Sequence, residues 1–370
     1  MKILVTGGAG FIGSFLVDSL VRQGHTVRIL DNLEPQVHRT GKPPSYLNPD
    51  AEFLHGDMRD YETVKIAVTD MEIIFHEASM VGVGQSQYEI SKYIASNTLG
   101  TANLLDVLVN TKNKVQKLVV AASMSSYGEG RYKCNDCGPV RPSLRSLEQL
   151  QTGQWECLCP HCQQELTPLP TDEEARQNNN SVYGLSKMDQ EQLCLIIGKT
   201  YSIPTVALRY FNVYGPRQSL SNPYTGVAAI FMSRIKNGHR PVIFEDGLQS
   251  RDFVSVHDIV SANLEVMNNP RADYNVYNIG SGNPLTIKSI AEKLADLYKS
   301  PVVPDITYRY RKGDIRHCFS DIAKIKKDLG WQPCISFEEG MNELIEWAQE
   351  AEAIDEMDKA FTEMKQKGLV

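Results

Sequence analysis

Two residues set the first question. In Ser181-Val182-Tyr183-Gly184-Leu185-Ser186-Lys187 a tyrosine and a lysine stand four positions apart within a helical pattern. That spacing puts both side chains on one helix face, about one turn apart. An ammonium so placed stabilises a phenolate and lowers its pKa from ~10. A tyrosine tuned this way can exchange a proton with a substrate hydroxyl near neutral pH. Taken alone, the pair could equally be two surface residues. A third group strengthens the chemical reading. Ser123 follows the apolar run Lys117–Ala122. The carboxyl edge of such a strand is where doubly wound sheets bind ligands. Its hydroxyl could hydrogen-bond a reacting oxygen and Tyr183, although Ser125 and Ser126 lie close enough to compete.

A glycine-rich turn points to the co-reactant. Thr6-Gly7-Gly8-Ala9-Gly10-Phe11-Ile12-Gly13 follows the first apolar strand and opens a helix pattern. In that context Gly7 permits a tight turn and Gly10 lets backbone approach a pyrophosphate. Gly13 lets helix pack on strand, and the helix N-terminus, with Phe11 and Ile12, offers amides to the phosphates. Asp31, followed by Asn32, closes the second strand. A carboxylate there accepts hydrogen bonds from both ribose hydroxyls and repels a 2′-phosphate, which favours NAD over NADP. Asp57 and Met58, after the third strand, could meet the adenine; a plain turn aspartate is the ordinary alternative for Asp57.

A separate motif has nothing to do with hydride chemistry. Cys134 and Cys137 form one Cys-x-x-Cys knuckle and Cys159 and Cys162 a second, with twenty-one residues between them. The spacing predicts a four-thiolate structural zinc site with no open coordination position. Cys157 could replace one ligand, and His161 is a weaker substitute; disulfides or free thiols are the alternative. The knuckles fall within residues 131–171, between Ser123 and Tyr183. This segment must therefore leave the site and return to it. About forty residues bury little core of their own, so a metal would supply the missing stability. The expected object is a small zinc-pinned lobe at the mouth of the pocket.

The elements that must carry these groups are visible in the patterning. Strand-like runs at Lys2–Val5, Thr26–Leu30, Glu52–His55, Glu72–His76, Lys117–Ala122 and Thr205–Phe211 alternate with amphipathic stretches. One such stretch runs from Ile90 to Val109. This order predicts an α/β, Rossmann-type doubly wound parallel sheet. We expect an NAD-binding domain over residues 1–215, interrupted by the 131–171 insertion. A smaller α/β lobe, mainly substrate-binding, should follow over 216–340, where Asn-Pro, Asn-Gly and Asp-Gly turns multiply. Residues 341–370 read as a helical tail, solvated on its surface.

Composition narrows the function classes. The chain has 370 residues, net charge −7 and 42% hydrophobic residues. The acidic balance excludes nucleic acid held by a basic face. No apolar run reaches the ~18–20 residues of a membrane helix, and Gly7 cuts short the N-terminal apolar run that a signal peptide would need. A cytoplasmic protein is expected, and there eight cysteines point to thiols or metal.

The glycine spacing, Ser123, Tyr183 and Lys187 together resemble the extended short-chain dehydrogenase/reductases, specifically their nucleotide-sugar 4-epimerases, over most of the chain. The family pattern places its catalytic serine four residues before Tyr127-Gly128, which selects Ser123. Family dehydratases carry Asp-Glu directly after that position. Here Met124 and Ser125 stand there, so the resemblance is to an epimerase or a simple dehydrogenase. It further implies that Asn212, Arg251, Arg316, Arg217 and Ser125 meet substrate, and that Asn97 and His76 lie beside the cofactor. For His76 a satisfied core histidine is the alternative, and for Arg316 a surface ion pair. The implied substrate is a nucleoside-diphosphate sugar inverted at C4 through a 4-keto intermediate. The inserted cysteines and Gly138-Pro139-Val140-Arg141-Pro142 are similar to a subgroup that interconverts dTDP-L-rhamnose and dTDP-6-deoxy-L-talose. UDP-hexose or UDP-uronate 4-epimerisation, a nucleotide-sugar dehydrogenase or reductase, and a non-catalytic NAD-sensing scaffold are the rivals. The helices at 90–109 and 183–197 form the two-fold interface in this family, which implies a homodimer.

Overall fold

A computed structural model describes residues 1–370. Its centre is a sheet of seven strands: β1 (Lys2–Thr6), β2 (Thr26–Asp31), β3 (Glu52–His55), β4 (Ile73–His76), β5 (Lys117–Ser123), β6 (Thr205–Tyr210) and β7 (Val276–Ile279). All neighbours are parallel, in the order β7-β6-β5-β4-β1-β2-β3. The strand order reverses between β1 and β4, the switch point at which such sheets open a crevice. β1 shows why the sheet is covered on both faces. Ile3 and Val5 enter one apolar cluster while Leu4 enters another. Side chains alternate along a strand, so an unbroken apolar run needs partners on both sides. Helix α1 (Phe11–Arg22) supplies Leu16, Val17 and Leu20 to the first cluster. The helix at residues 90–110 supplies Leu104, Leu105 and Leu108 to the second, as its pattern predicted. Its middle, Ile94–Leu99, is a π-helical turn.

Two boundaries differ from the sequence expectation. The chain does not leave the nucleotide-binding core at residue 215. Helix α2 (Val256–Asn268) and strand β7 return to it, and Ile259, Val260, Val266, Tyr277 and Ile279 join the same cluster as β1. Strand β7 is short and half polar, so periodicity did not reveal it. Nor is the C-terminal tail a solvated helix. Helix α3 (Phe337–Glu350) buries Met341, Leu344, Ile345 and Ala348 in the core of the second lobe, and helix α4 (Met357–Gln366) buries Met357, Ala360 and Met364. Both are amphipathic, and their charged faces mask the apolar stripe in a composition count.

Residues 131–171 fold as their own three-stranded antiparallel sheet, from Arg131–Cys134, Gly138–Val140 and Thr167–Leu169. Its core is five buried residues: Tyr132, Cys134, Cys157, Cys159 and Leu166. Thr171 then bridges to Ser320 of the second lobe.

Candidate active site

The crevice at the switch point continues into one cavity of about 550 Å³. That is within the usual range for a ligand site. Its cofactor end is built largely of backbone. Gly7 has φ +69°, and a Cβ there would stand 2.8 Å from the backbone of Ala78. A Cβ on Gly13 would lie 2.3 Å from the carbonyl oxygen of Gly7. Both positions therefore require glycine. Gly10 caps α1 with no side-chain hydrogen bond, which leaves the first amides of the helix to the cavity. Gly10, Phe11, Ile12 and Gly13 all line it, as do Asp31, Asn32, Asp57 and Met58. The Asp31 carboxylate accepts from the amides of Ala9 (3.0 Å) and Leu33 (2.9 Å), so it is fixed at the rim of the sheet. Burial works to raise the Asp57 carboxyl, but Arg59 and the Asn32 amide prevail and hold it at about 2. A fixed carboxylate on the ribose side, bare amides on the phosphate side and glycines a Cβ would clog suit NAD.

Two neighbours expected beside the cofactor sit one layer back. Asn97 is fully buried and does not line the cavity. Its amide accepts from the Met80 N–H (2.7 Å) and donates to the Met80 carbonyl (3.1 Å) and to Ser186 Oγ (2.9 Å). It holds the loop that carries cavity residues Ala78–Gly84. His76 is the satisfied core histidine, bonded to Thr6 Oγ1 and Thr101 Oγ1, both at 2.8 Å. Burial, then Lys187, pushes its pKa down to about 3.

Ser123, Tyr183 and Lys187 meet on the cavity wall. Ser123 is the last residue of β5. Tyr183 and Lys187 share the inner face of helix α5 (Val182–Thr200), whose start is fixed by the Ser181 hydroxyl accepting from the Gly184 amide. The electrostatics depart from the expected picture. Burial raises the Tyr183 phenol, and the Ser123 hydroxyl pulls the other way. Lys187 is itself depressed to about 8, by burial first, with Glu77 opposing. Glu77, unnoticed in the sequence, lines the cavity just past β4 and receives the Tyr210 hydroxyl at 2.9 Å. Burial lifts its carboxyl to about 7. Burial thus disfavours both charges, while the Glu77 carboxylate works against the fall of Lys187 and Lys187 against the rise of Glu77.

The far end of the cavity is polar and aromatic. Ser125, Asn212 and Arg251 line it, together with Gln218, Gln249, Phe244, Arg311 and, from the tail, Met357 and Met364. The amide oxygens of Asn212, Gln218 and Gln249 are buried without a partner. Arg251 bonds only backbone carbonyls, those of Ser250, Ile315 and Arg316, and pairs with no carboxylate. A guanidinium left with its charge uncompensated in a cavity suits a bound anion.

The other two arginines are corrections. Arg316 is wholly buried away from the cavity, held by Glu156, Glu245 and Asp246. Arg217 pairs with Asp18 at 2.8 Å and lies over the rings of Phe15 and Tyr46 on α1's side of the sheet. Each has carboxylate partners from distant segments, which their local motifs could not disclose.

Beyond the cavity, the sulfurs of Cys134, Cys137, Cys159 and Cys162 lie within 4.8 Å of one another. Tetrahedral zinc with ~2.3 Å bonds needs sulfurs about 3.8 Å apart, so the donor set fits. Cys157 points elsewhere, to the Tyr132 hydroxyl at 3.5 Å.

Against known proteins, the chain matches the NAD dependent epimerase/dehydratase family over residues 3–145 and 156–280. It belongs to that family. Among curated members, it is 35% identical over 357 residues to the dTDP-L-rhamnose 4-epimerase of Burkholderia thailandensis, covering 94% of this chain and 95% of that one. Among solved structures, the UDP-glucose 4-epimerase of Thermotoga maritima with UDP-glucose superposes with TM-score 0.78 at 32% identity, covering 94% and 99% of the two chains. The UDP-glucose 4-epimerase of Thermus thermophilus in complex with NAD gives 0.75 at 28%, covering 95% and 100%. The family match breaks at residues 146–155, inside the insertion. Within the lobe, the family model therefore leaves out only a stretch between the two knuckles, and it covers the remaining lobe residues.

Proposed function

We propose that the protein is an NAD-dependent 4-epimerase of a nucleoside-diphosphate sugar, with dTDP-L-rhamnose and dTDP-6-deoxy-L-talose as the favoured pair. One observation carries the reading. A single cavity runs from the dinucleotide cradle, past Ser123, Tyr183 and Lys187, to the uncompensated Arg251. That run supports a sugar held between a hydride acceptor and a diphosphate anchor. Bound NAD supplies the hydride acceptor, the returning hydride and a positive ring charge beside the phenol. Tyr183 takes the proton of the C4 hydroxyl as C4 is oxidised to a ketone, and Ser123 donates a hydrogen bond to that oxygen. Lys187 stabilises the phenolate before that proton is taken and again after it is returned. The ketone turns about its diphosphate linkage, held by Arg251, and Tyr183 returns the proton as C4 is reduced on its other face. Met124 and Ser125 offer no acid–base pair for removing water at C5 and C6.

The Burkholderia relative favours the dTDP-sugar. Likeness to the Thermotoga enzyme supports UDP-hexoses as the second reading. The test is a panel of dTDP- and UDP-sugars followed by NMR. The expected outcome is C4 inversion without net NADH production; steady NADH formation would make it a dehydrogenase.

The four clustered thiolates would hold structural zinc, supported by their mutual geometry and the lobe's small core. Metal analysis of protein purified in reducing buffer should give one zinc per chain. The exposed apolar side chains Ile90, Leu99, Leu185 and Ile196, on the two helices named above, support a homodimer. Light scattering at micromolar concentration should read twice 41.4 kDa.

A further inference from the structure

Glu245 is an odd residue for its place. It sits at φ +55°, in the left-handed region that favours glycine, and its carboxylate is buried. It also lines the substrate end of the cavity, beside Phe244. What holds it comes from the inserted lobe. Arg145 grips both carboxylate oxygens, at 2.8 and 2.9 Å, and Arg316 adds a third contact at 3.1 Å. Arg145 then spends its remaining reach on two carbonyls, that of Trp155 in the lobe (3.0 Å) and that of Asp314 on the cavity wall (2.9 Å).

A second tie runs parallel to the first. Glu156, between the two cysteine knuckles, receives Arg316 Nε at 3.0 Å and Nη2 at 2.5 Å. Its other oxygen meets His317 Nε2 at 2.9 Å, and His317 Nδ1 meets the Ser250 hydroxyl at 2.7 Å. The carbonyls of Ile315 and Arg316 in turn hold the Arg251 guanidinium, at 2.5 and 3.0 Å. Both ties therefore end on the wall that would receive the diphosphate.

We propose that the inserted lobe aims the nucleotide-binding wall, with Arg145 and Glu156 as positioning residues for Arg251 and for the 311–315 loop. The proposal rests on the nucleotide-sugar reading above. Neither residue lines the cavity, so neither touches substrate. Their effect reaches it through charge pairs in which Arg145, Glu245 and Arg316 are buried and Glu156 is half-buried; the buried members stay rigid because breaking their pairs leaves an unpaired charge in a low-dielectric setting. A displaced anchor weakens binding of the whole nucleotide and leaves the Tyr183 chemistry intact, so affinity should suffer while turnover at saturation should not.

The test uses the NAD-loaded protein. Titration calorimetry with dTDP and with UDP reads nucleotide affinity without turnover; steady-state kinetics with the active sugar reads KM and kcat. Arg145→Met should weaken nucleotide binding and raise KM by about tenfold, with kcat within about twofold and NAD content unchanged. Arg145→Lys should recover part of the loss, and Glu156→Gln should show about three- to fivefold in the same direction. Lys133→Ala, an exposed change in the same lobe, should match wild type. Folded Arg145→Met with nucleotide affinity within twofold of wild type would overturn the proposal, as would a fall in kcat at unchanged affinity. If Arg145→Met does not fold, Glu156→Gln decides by the same criterion. Wild-type protein that binds neither dTDP nor UDP removes the functional reading and this one with it; a wild type that binds, beside variants that bind equally well, removes this one alone.

Discussion

The two ends of the cavity are built by opposite means. The cofactor end is local. Gly7 to Gly13, one turn and the start of one helix, supplies the phosphate cradle, and Asp31 lies one strand away. The substrate end is assembled from far apart in the chain. Arg316 meets Glu156 across 160 positions, and Arg145 meets Glu245 across 100. The first end works through backbone amides and the absence of side chains. The second works through long charged side chains whose partners only folding can bring together. Damage should therefore stay at the end where it is made, and the junction between them should be the most sensitive place.

The junction offers the largest effect. Tyr183→Phe should lower kcat by about 10³-fold while NAD stays bound, since it removes the proton carrier and leaves both ends in place. Retained turnover in that variant would dissolve the junction altogether. Next comes the lobe. If the four thiolates hold zinc as proposed, Cys162→Ser should bind none and make proteolysis within residues 131–171 about tenfold faster or more, with unchanged NAD content. Loss of NAD from that variant would show that the ends are not separable. At the other end, Gly13→Ala forces a methyl against the Gly7 carbonyl. It should destabilise the protein by about 1–3 kcal/mol and empty it of NAD, with the metal content of the lobe unchanged from wild type.

A pH series tests the electrostatics at the junction. Glu77 is lifted from 4.5 to about 7. Between those values the folded protein keeps a proton that the unfolded chain has lost. Raising pH through that window therefore weakens the wild type, and the cost is complete above about 7. Glu77→Gln has no such proton. Its stability relative to wild type should rise by about 3 kcal/mol from pH 4.5 to 7.5, read by urea unfolding at each pH. A flat difference would mean that the carboxylate is already charged when folded.

The same contrast explains what could be read before folding was known. Most of the first six strands were legible because a parallel strand covered on both faces carries a near-continuous apolar run, as in β1, β4 and β5; edge strand β3, with Glu52 and His55 exposed, shows that signal only in Phe53 and Leu54. Strand β7 was not, because Val276-Tyr277-Asn278-Ile279 is short and places Asn278 where Tyr127 and Thr171 satisfy it. The π-helical turn at Ile94–Leu99 left no periodic trace either, although its Asn97 fixes the loop over the cofactor site. The tail was misjudged because Met357 and Met364 count as two apolar residues among many charges, yet they stand seven apart on one face and close the cavity. A helical-wheel count of 357–364 would have found them.

The sequence by itself determined the nucleotide-binding sheet, the glycine cradle, the serine–tyrosine–lysine group and the paired knuckles. These depend on spacings of a few residues, and backbone geometry converts such spacings directly into position. Only the tertiary structure decided which arginine faces the cavity and which is spent inside the protein. Arg251 and Arg316 carry the same side chain in similar-looking motifs. What separates them is three carboxylates from remote segments that neutralise Arg316, while Arg251 bonds only backbone carbonyls and meets no carboxylate. Charge compensation acts through space, so no reading along the chain could assign it.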